Sequence, residues 1–287
     1  MAMYEARYVS DAGPEFLFSF DNGVIFDIDP LSGVTINLST AQGYHNAGEV
    51  VLGKTVSSVT RKVQGVFFRG DKEKKKHDMQ AAFAPFSSGR LYFNKKYYCE
   101  CDVKKTPEFY KKDNREMFSI QLTCAYPFWL SAGDVVYELG VYEPAFSFPV
   151  NYTDPHQFGI KDPNKFIDCY NDGEESASMM MEFSTMTVSE NYGILNIKTD
   201  EYIRIVDRLG IGDKMRVFWK NNTLRLERTT SDGTVSDAFT MLDENSTLFH
   251  ADPGHNIFMM QADSGLNDLM VLVSFPKTKA GVYDGVE

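Results

Sequence analysis

Long apolar runs are missing from this sequence of 287 residues, and none approaches the roughly 20 residues that cross a bilayer as a helix. The amino terminus, Met1-Ala2-Met3-Tyr4-Glu5-Ala6-Arg7, lacks the apolar core of a secretory signal, so the expectation is a soluble chain made in a cytoplasm. Cysteine is scarce. Cys99, Cys101, Cys124 and Cys169 are too few for a disulfide scaffold and fit a reducing compartment. In KYYCECDV, the set Tyr97, Cys99, Cys101 and Val103 alternates with Tyr98, Glu100 and Asp102, which turns both cysteines to the buried face of a strand. Core thiols explain the pair better than a Cys-x-Cys metal or redox site. Positive charge is short in one half only. Residues 1–131 carry 17 Lys or Arg against 15 Asp or Glu, the remainder 12 against 25, within a formal net charge of −11. An acidic second half offers little to phosphate, which argues against nucleic acid as a partner and suits solubility or docking on a basic surface.

Motifs that carry chemistry are also missing. FDIDPLSG supplies Asp27 and Asp29, but Leu31 and Leu38 stand where a calcium loop needs its fifth-position oxygen ligand and its twelfth-position glutamate. His250 and His255 flank Pro253-Gly254, and zinc would need two more ligands that nothing nearby supplies. RLGIGDK lacks the glycine spacing that cradles phosphate, and no G-x-S-x-G string is present. Arg69-Gly70-Asp71 matches an integrin-read tripeptide but stands at the start of a helix in a chain expected to be cytoplasmic. The expectation is a protein that is not an enzyme, with no catalytic, cofactor-binding or metal-binding residue to nominate.

What is present is period-two alternation. EFLFSF (15–20), VIFDI (24–28) and VTINL (34–38) read as strands divided by Asp21-Asn22-Gly23 and Pro30-Leu31-Ser32-Gly33, and a longer strand covers Val59 to Phe68. GRLYFN, the Cys99 strand and MFSIQLTCAYPFW follow; in the last, Phe118, Ile120, Leu122, Cys124 and Tyr126 alternate with Met117, Ser119, Gln121 and Thr123, and the strand ends at Pro127. One stretch breaks the rule. In RGDKEKKKHDMQAAFAPF, Met79, Ala82, Phe83 and Phe86 fall at helical spacing, Asp71 caps the start and Pro85 marks the end, which predicts a helix over 72–86. Lys72, Lys74, Lys75 and Lys76 crowd its amino end, where the helix dipole disfavours positive charge. Two readings stand: a solvated first turn, or a contact with a neighbouring subunit or acidic partner, for which Lys74, Lys75 and Lys76 are the candidates. Residues 131–175, broken by Pro144, Pro149, Pro155 and Pro163, read as a domain junction. Alternation returns from Ala177 through YGILNI, YIRIV, KMRVFW, TLRLER and LMVLVSF, with turns at Asn221-Asn222 and Ser231-Asp232-Gly233 and Met179–Met181 as core filler. Many short strands with turns at close intervals predict a β-sandwich.

The order strand, lysine-rich helix, GRLYF, paired strands and IQLTCAYPFW resembles the distal tail protein (Dit) family of siphophages. The second half resembles it in NDGEESASMMMEF, LNIKTDEYIRI, GDKMRV, MLDENSTLFHADPGHNIFMMQAD and LMVLVSF…GVYDGV. The pattern runs from Asn171-Asp172-Gly173-Glu174 through a turn at 196–199 and Ser246-Thr247 to Gly254-x-Asn256, with His255 where the family often has aspartate. The resemblance implies a mainly β chain of two domains. Residues 1–131 would be a ring-forming β-sandwich with the helix packed on it, and residues 132–287 a galectin-like β-sandwich pointing outward. It implies a structural protein of the virion tail tip or baseplate, six copies closing into a ring at the distal end of the tail tube. The implied partners are further copies of the chain, the major tail tube protein, the tape measure protein, the tail-tip protein or tail-associated lysin, and receptor-binding proteins, with no specific nucleic-acid binding and no membrane insertion. The alternative is a carbohydrate-binding module in residues 132–287 with Trp219 or Tyr202 as a stacking ring, although Trp219 alternates with Val217 and reads as core.

Overall fold

The computed structural model describes residues 4–42, 48–140, 142–144, 159–161, 165–220 and 223–282; the predicted turn at Asn221-Asn222 and three of the four prolines of the predicted junction, Pro149, Pro155 and Pro163, lie outside them. Two compact units divide the chain: Met1–Gly133 with Thr278–Glu287, and Asp134–Lys277. The segment from Thr278 is part of the first unit because Gly33 N–H donates to Ala280 O, Val282 N–H donates to Leu31 O, and Val282 is buried in that unit's core. A single cut along the sequence does not express such a return.

The first unit contains β1 (Ala6–Ser10), β2 (Glu15–Phe18), β3 (Val24–Asp29), β4 (Ile36–Ala41), β5 (Val50–Val56), β6 (Val59–Phe67), α1 (Lys72–Ala82), β7 (Ser88–Phe93), β8 (Tyr97–Lys112) and β9 (Arg115–Cys124). One layer runs β2-β1-β7-β8 and the other β3-β6-β9-β8, all pairs antiparallel. β8 serves both layers. Its first half pairs with β7 from Tyr97 to Asp102, and its second with β9 from Asp102 to Lys112, with register shifts at Val103/Lys105 and Lys105/Glu108. Such irregularities bend a strand and strengthen its twist, which lets one strand pass from layer to layer.

Phe118, Ile120 and Leu122 of β9 and Val63 and Phe67 of β6 lie side by side on the inward face of the second layer, all buried. α1 covers β1, β2 and β8 with Met79, Ala82 and Phe83, and the Phe83 ring stacks on Tyr8 at 4.1 Å between centroids. The helix is shorter than its sequence pattern predicts. It ends at Ala82 with Phe83 as the capping residue, and Phe86, expected on the apolar face, is fully exposed at φ 63°. Pro85 cannot continue the helical ladder and disfavours helical geometry in the residue before it, so the chain turns away one turn before Phe86 could reach the core.

The chain passes into the second unit along β10 (Trp129–Leu139), followed by β11 (Tyr142–Pro144), β12 (Gly159–Lys161), β13 (Phe166–Asn171), β14 (Met180–Thr185), β15 (Ser189–Asn196), β16 (Glu201–Leu209), β17 (Lys214–Lys220), β18 (Thr223–Thr229), β19 (Val235–Asp237), β20 (Gly254–Ser264) and β21 (Leu269–Lys279). One sheet runs β19-β18-β17-β14-β21 and the other β13-β20-β15-β16. Phe183, Val217, Val271 and Val273 from the first meet Tyr192, Ile194, Ile203 and Phe258 from the second in one core. Met179 and Met181 are buried with Met180 half-buried between them, the alternation expected of a strand. At Gly193 the sheet is so tight that a Cβ would lie 2.1 Å from the Ile203 carbonyl oxygen, so only glycine fits. The unit is a two-sheet antiparallel β-sandwich.

Candidate interaction surfaces

The lysine cluster divides on inspection. Asp71 Oδ1 accepts from the Lys74 backbone N–H at 3.1 Å, the cap that its sequence position predicts. Lys75 Nζ donates to the Arg69 carbonyl oxygen, and Gly23 packs so closely on that carbonyl that a Cβ there would lie 2.3 Å away. Partial burial, then the charge of Arg69, lowers the Lys75 pKa. Lys76 pairs with Glu73 at 2.7 Å and Glu116 at 3.6 Å, and the hydrogen bond to Glu73 raises its pKa. Lys75 thus ties the helix to the Arg69 carbonyl before it, and Lys76 ties it to Glu116 of β9. Lys74 has its side chain in solvent.

A larger exposed surface was not singled out by sequence reasoning. β4 and β5 pair only with each other, with Ile36 opposite Val56 and Leu38 two residues along on the same face. Ile36, Leu38, Val50, Val51, Leu52 and Val56 are all exposed, Leu52 at 70%. VTINL was recognisable as a strand, but nothing in its alternation told that neither face meets the core. An isolated two-stranded hairpin is at best marginally stable in water, and apolar side chains on such an arm mark a contact surface. Phe20 and Phe68, with ring centroids 4.7 Å apart, are also partly exposed on this unit.

In the second unit, Gly254-His255-Asn256 opens β20 directly after a locked turn. Gly254 has φ 95°, and the Asn256 side chain, 3% exposed, donates to the carbonyl oxygens of Asp252, Gly254 and Cys169 while its Oδ1 accepts from the Asp252 N–H at 2.9 Å. His255 points outward, its Nδ1 2.8 Å from Asp168 Oδ2, an exposed pair of small energetic weight. Asn171 makes the matching contact across the sheet, donating to Ala251 O at 2.8 Å and accepting from Gly173 N–H. The sequence pattern around these asparagines is therefore one of turn locks. Asn256→Ala is expected to lower the stability of the second unit by about 2–4 kcal/mol, since it leaves several buried backbone groups unpaired. Scanning calorimetry should shift that unit's transition and leave the first unit's in place.

No group of three or more metal-ligating side chains able to hold an ion occurs among the described residues. His250 packs its ring against Trp219 at 5.0 Å, and burial lowers its pKa. Trp219 is half-buried and packs against the second unit's core, and Tyr202 is half-buried on β16. No helix among the described residues is long and apolar enough to cross a membrane.

Two β-sandwich units, with one α-helix among the described residues laid on the first, make up a fold that is shared with solved phage baseplate proteins. The SPP1 Dit (gp 19.1) protein, a paradigm of the hub adsorption apparatus in phages infecting Gram-positive bacteria, is similar with a TM-score of 0.64 and 9% identity, over 96% of this chain and 99% of its own. A chain of the phage p2 baseplate in its activated conformation is similar with a TM-score of 0.56 over 98% of this chain and 100% of that one, at 11% identity with strontium and 12% with calcium. No protein-family model and no curated protein matches the sequence. At such identities the likeness is one of fold, and it agrees with the distal-tail pattern read from the sequence.

Proposed function

We propose that this chain is a structural phage tail protein that forms a ring of six at the distal end of the tail tube and acts there as the baseplate hub. Its partners on this reading are further copies of itself, the tail tube and tape measure proteins, the tail-tip protein or tail-associated lysin, and the receptor-binding proteins. The second unit serves as an outward-facing, galectin-like sandwich. The supporting observation is the end-to-end fold likeness to SPP1 Dit, which spans both units rather than one common sandwich. The β4–β5 hairpin adds a physical means, because a head-to-tail contact that closes on itself consumes both of its surfaces and stops growth. It would also cover an exposed pair of strand edges. Lys74 stays in the proposed interface, while Lys75 and Lys76 are already engaged within the subunit. Size-exclusion chromatography with light scattering and negative-stain imaging of the purified full-length chain should give six-fold rings. A chain that stays monomeric at high concentration, and also when mixed with its tail tube protein, overturns the reading.

A further inference from the structure

Three cysteines from two layers meet in the core of the first unit. Cys99 lies opposite Leu91 and Cys101 opposite Gly89, where β8 runs beside β7 in one layer. Cys124 is the last residue of β9 in the other layer, and the pairing of β8 with β9 begins beside it, at Asp102 and Thr123. All three are buried. The Sγ atoms of Cys124 and Cys99 are 3.7 Å apart, which is contact distance for two sulfurs, and a disulfide needs them at about 2.0 Å. Cys101 instead turns its sulfur to the Gly89 carbonyl oxygen, also at 3.7 Å. Cys169 belongs to the core of the second unit.

Cys124 is held from both sides. Along β9 it is fixed by the ladder to β6, in which Val59 lies opposite Cys124 and Arg61 opposite Leu122, so Arg61 and Cys124 are diagonal neighbours on one inward face. Just past it, the buried Arg61 guanidinium donates to the Pro127 carbonyl oxygen at 2.9 Å and to that of Pro30, and stacks on Trp129 at 4.4 Å from the ring centroid. Between these two anchors Ala125 and Tyr126 are exposed. Solvent therefore reaches the chain one residue beyond Cys124, and opening at the end of β9 is enough to bring a small reagent to its sulfur.

We infer that Cys99 and Cys124 are a latent disulfide, which a peroxide closes within the folded chain to staple the two layers of the first unit beside the point where β8 passes between them. A peroxide suits a buried pair because it adds a single oxygen atom, where a larger oxidant leaves a bulky adduct. Hydrogen peroxide and the Cys124 thiol give a sulfenic acid and one water; the Cys99 thiol then displaces that oxygen as a second water and forms the S–S bond. Two thiols and one peroxide thus become one disulfide and two waters, and Cys101 stays reduced. The occasion for this step rests on the proposed function, under which a chain made in a reducing cytoplasm ends in a particle outside the cell. The pairing of the two sulfurs does not.

The test treats the folded full-length chain with hydrogen peroxide at neutral pH, quenches, and alkylates in denaturant. Free thiols should fall from four to two and return to four with dithiothreitol. A non-reducing peptide map, with cleavage after Glu100 to separate Cys99 from Cys101, should join the Cys99 peptide to the Cys124 peptide. Cys101→Ser should form the same link and Cys124→Ser should not. Four thiols remaining, a loss that dithiothreitol does not reverse, or a link through Cys101 or Cys169 overturns the inference. In a Trp219→Phe background the oxidised chain should also show a higher urea midpoint from Trp129 than the reduced chain, since the bond restricts the unfolded chain; an unchanged or lower midpoint overturns the staple. None of these readouts depends on ring formation, so light scattering can overturn the hub reading while the link stands, and the map can overturn the link while the rings stand.

Discussion

Replacing Leu38 and Leu52 together with aspartate is expected to leave the subunit folded and to abolish ring formation. Both side chains are more than half exposed on the β4–β5 hairpin, so the monomer loses little by the change. An assembly that buries them loses much. Burying one leucine contributes about 1.5–3 kcal/mol, and two of them about 3–6 kcal/mol per contact, before the cost of burying carboxylates is added. With tenfold in affinity for each 1.4 kcal/mol, every contact around the ring weakens at least about a hundredfold. Light scattering should then report monomer for the double variant at concentrations where the unaltered chain forms rings, with matching circular dichroism and thermal midpoint. Rings from both proteins would place the subunit contact elsewhere and leave the hub reading standing. Monomers from both, with the tube protein present, would remove the hub reading itself.

The second large effect is expected from Phe83→Ala. Phe83 is fully buried at the last turn of α1, stacked on Tyr8 and 6.0 Å from the Phe18 ring, so truncation opens a cavity where the helix meets its sheet. Removal of a buried phenylalanine costs about 3–5 kcal/mol. A short helix with a lysine-crowded first turn has little stability of its own to offset the loss. The two tryptophans make the measurement specific, since Trp129 is buried in the first unit's core and Trp219 lies in the second unit. In a Trp219→Phe background, the urea midpoint read from Trp129 should fall sharply for Phe83→Ala. Phe86→Ala should move it by no more than about 0.5 kcal/mol, because that ring is in solvent and surface changes seldom exceed this. Equal losses at the two positions would mean that the helix packs through Phe86 after all.

Met79, Ala82 and Phe83 were legible as the buried face of a helix because their spacing matches 3.6 residues per turn, and Asp71 as its cap because a carboxylate there meets free backbone N–H groups. Phe86 fits the same spacing and misled, since periodicity carries no information about where proline has already turned the chain. Cys99, Cys101 and Cys124 were each legible as core by alternation. Their convergence beside Arg61 was not, because that depends on the β6–β9 and β8–β9 registers, which join residues distant in sequence. The hairpin surface was hidden for a related reason. A strand exposed on both faces and a strand buried on one face differ only in what covers them.

The sequence by itself determined the β-rich class, the helix that follows Asp71, the turn positions marked by Gly23, Gly233 and Gly254, and the order of elements that resembles the distal tail proteins. These are properties of local backbone preference and side-chain period, which a chain carries wherever it folds. Only the tertiary structure decided that β8 serves two layers, that residues after Lys277 return to the first unit, that Lys75 and Lys76 are spoken for, and that Arg61 is closed in with three thiols. Each of these depends on which strand edges meet and on what is thereby taken out of water, a choice made by the packing of the whole chain rather than by any segment of it.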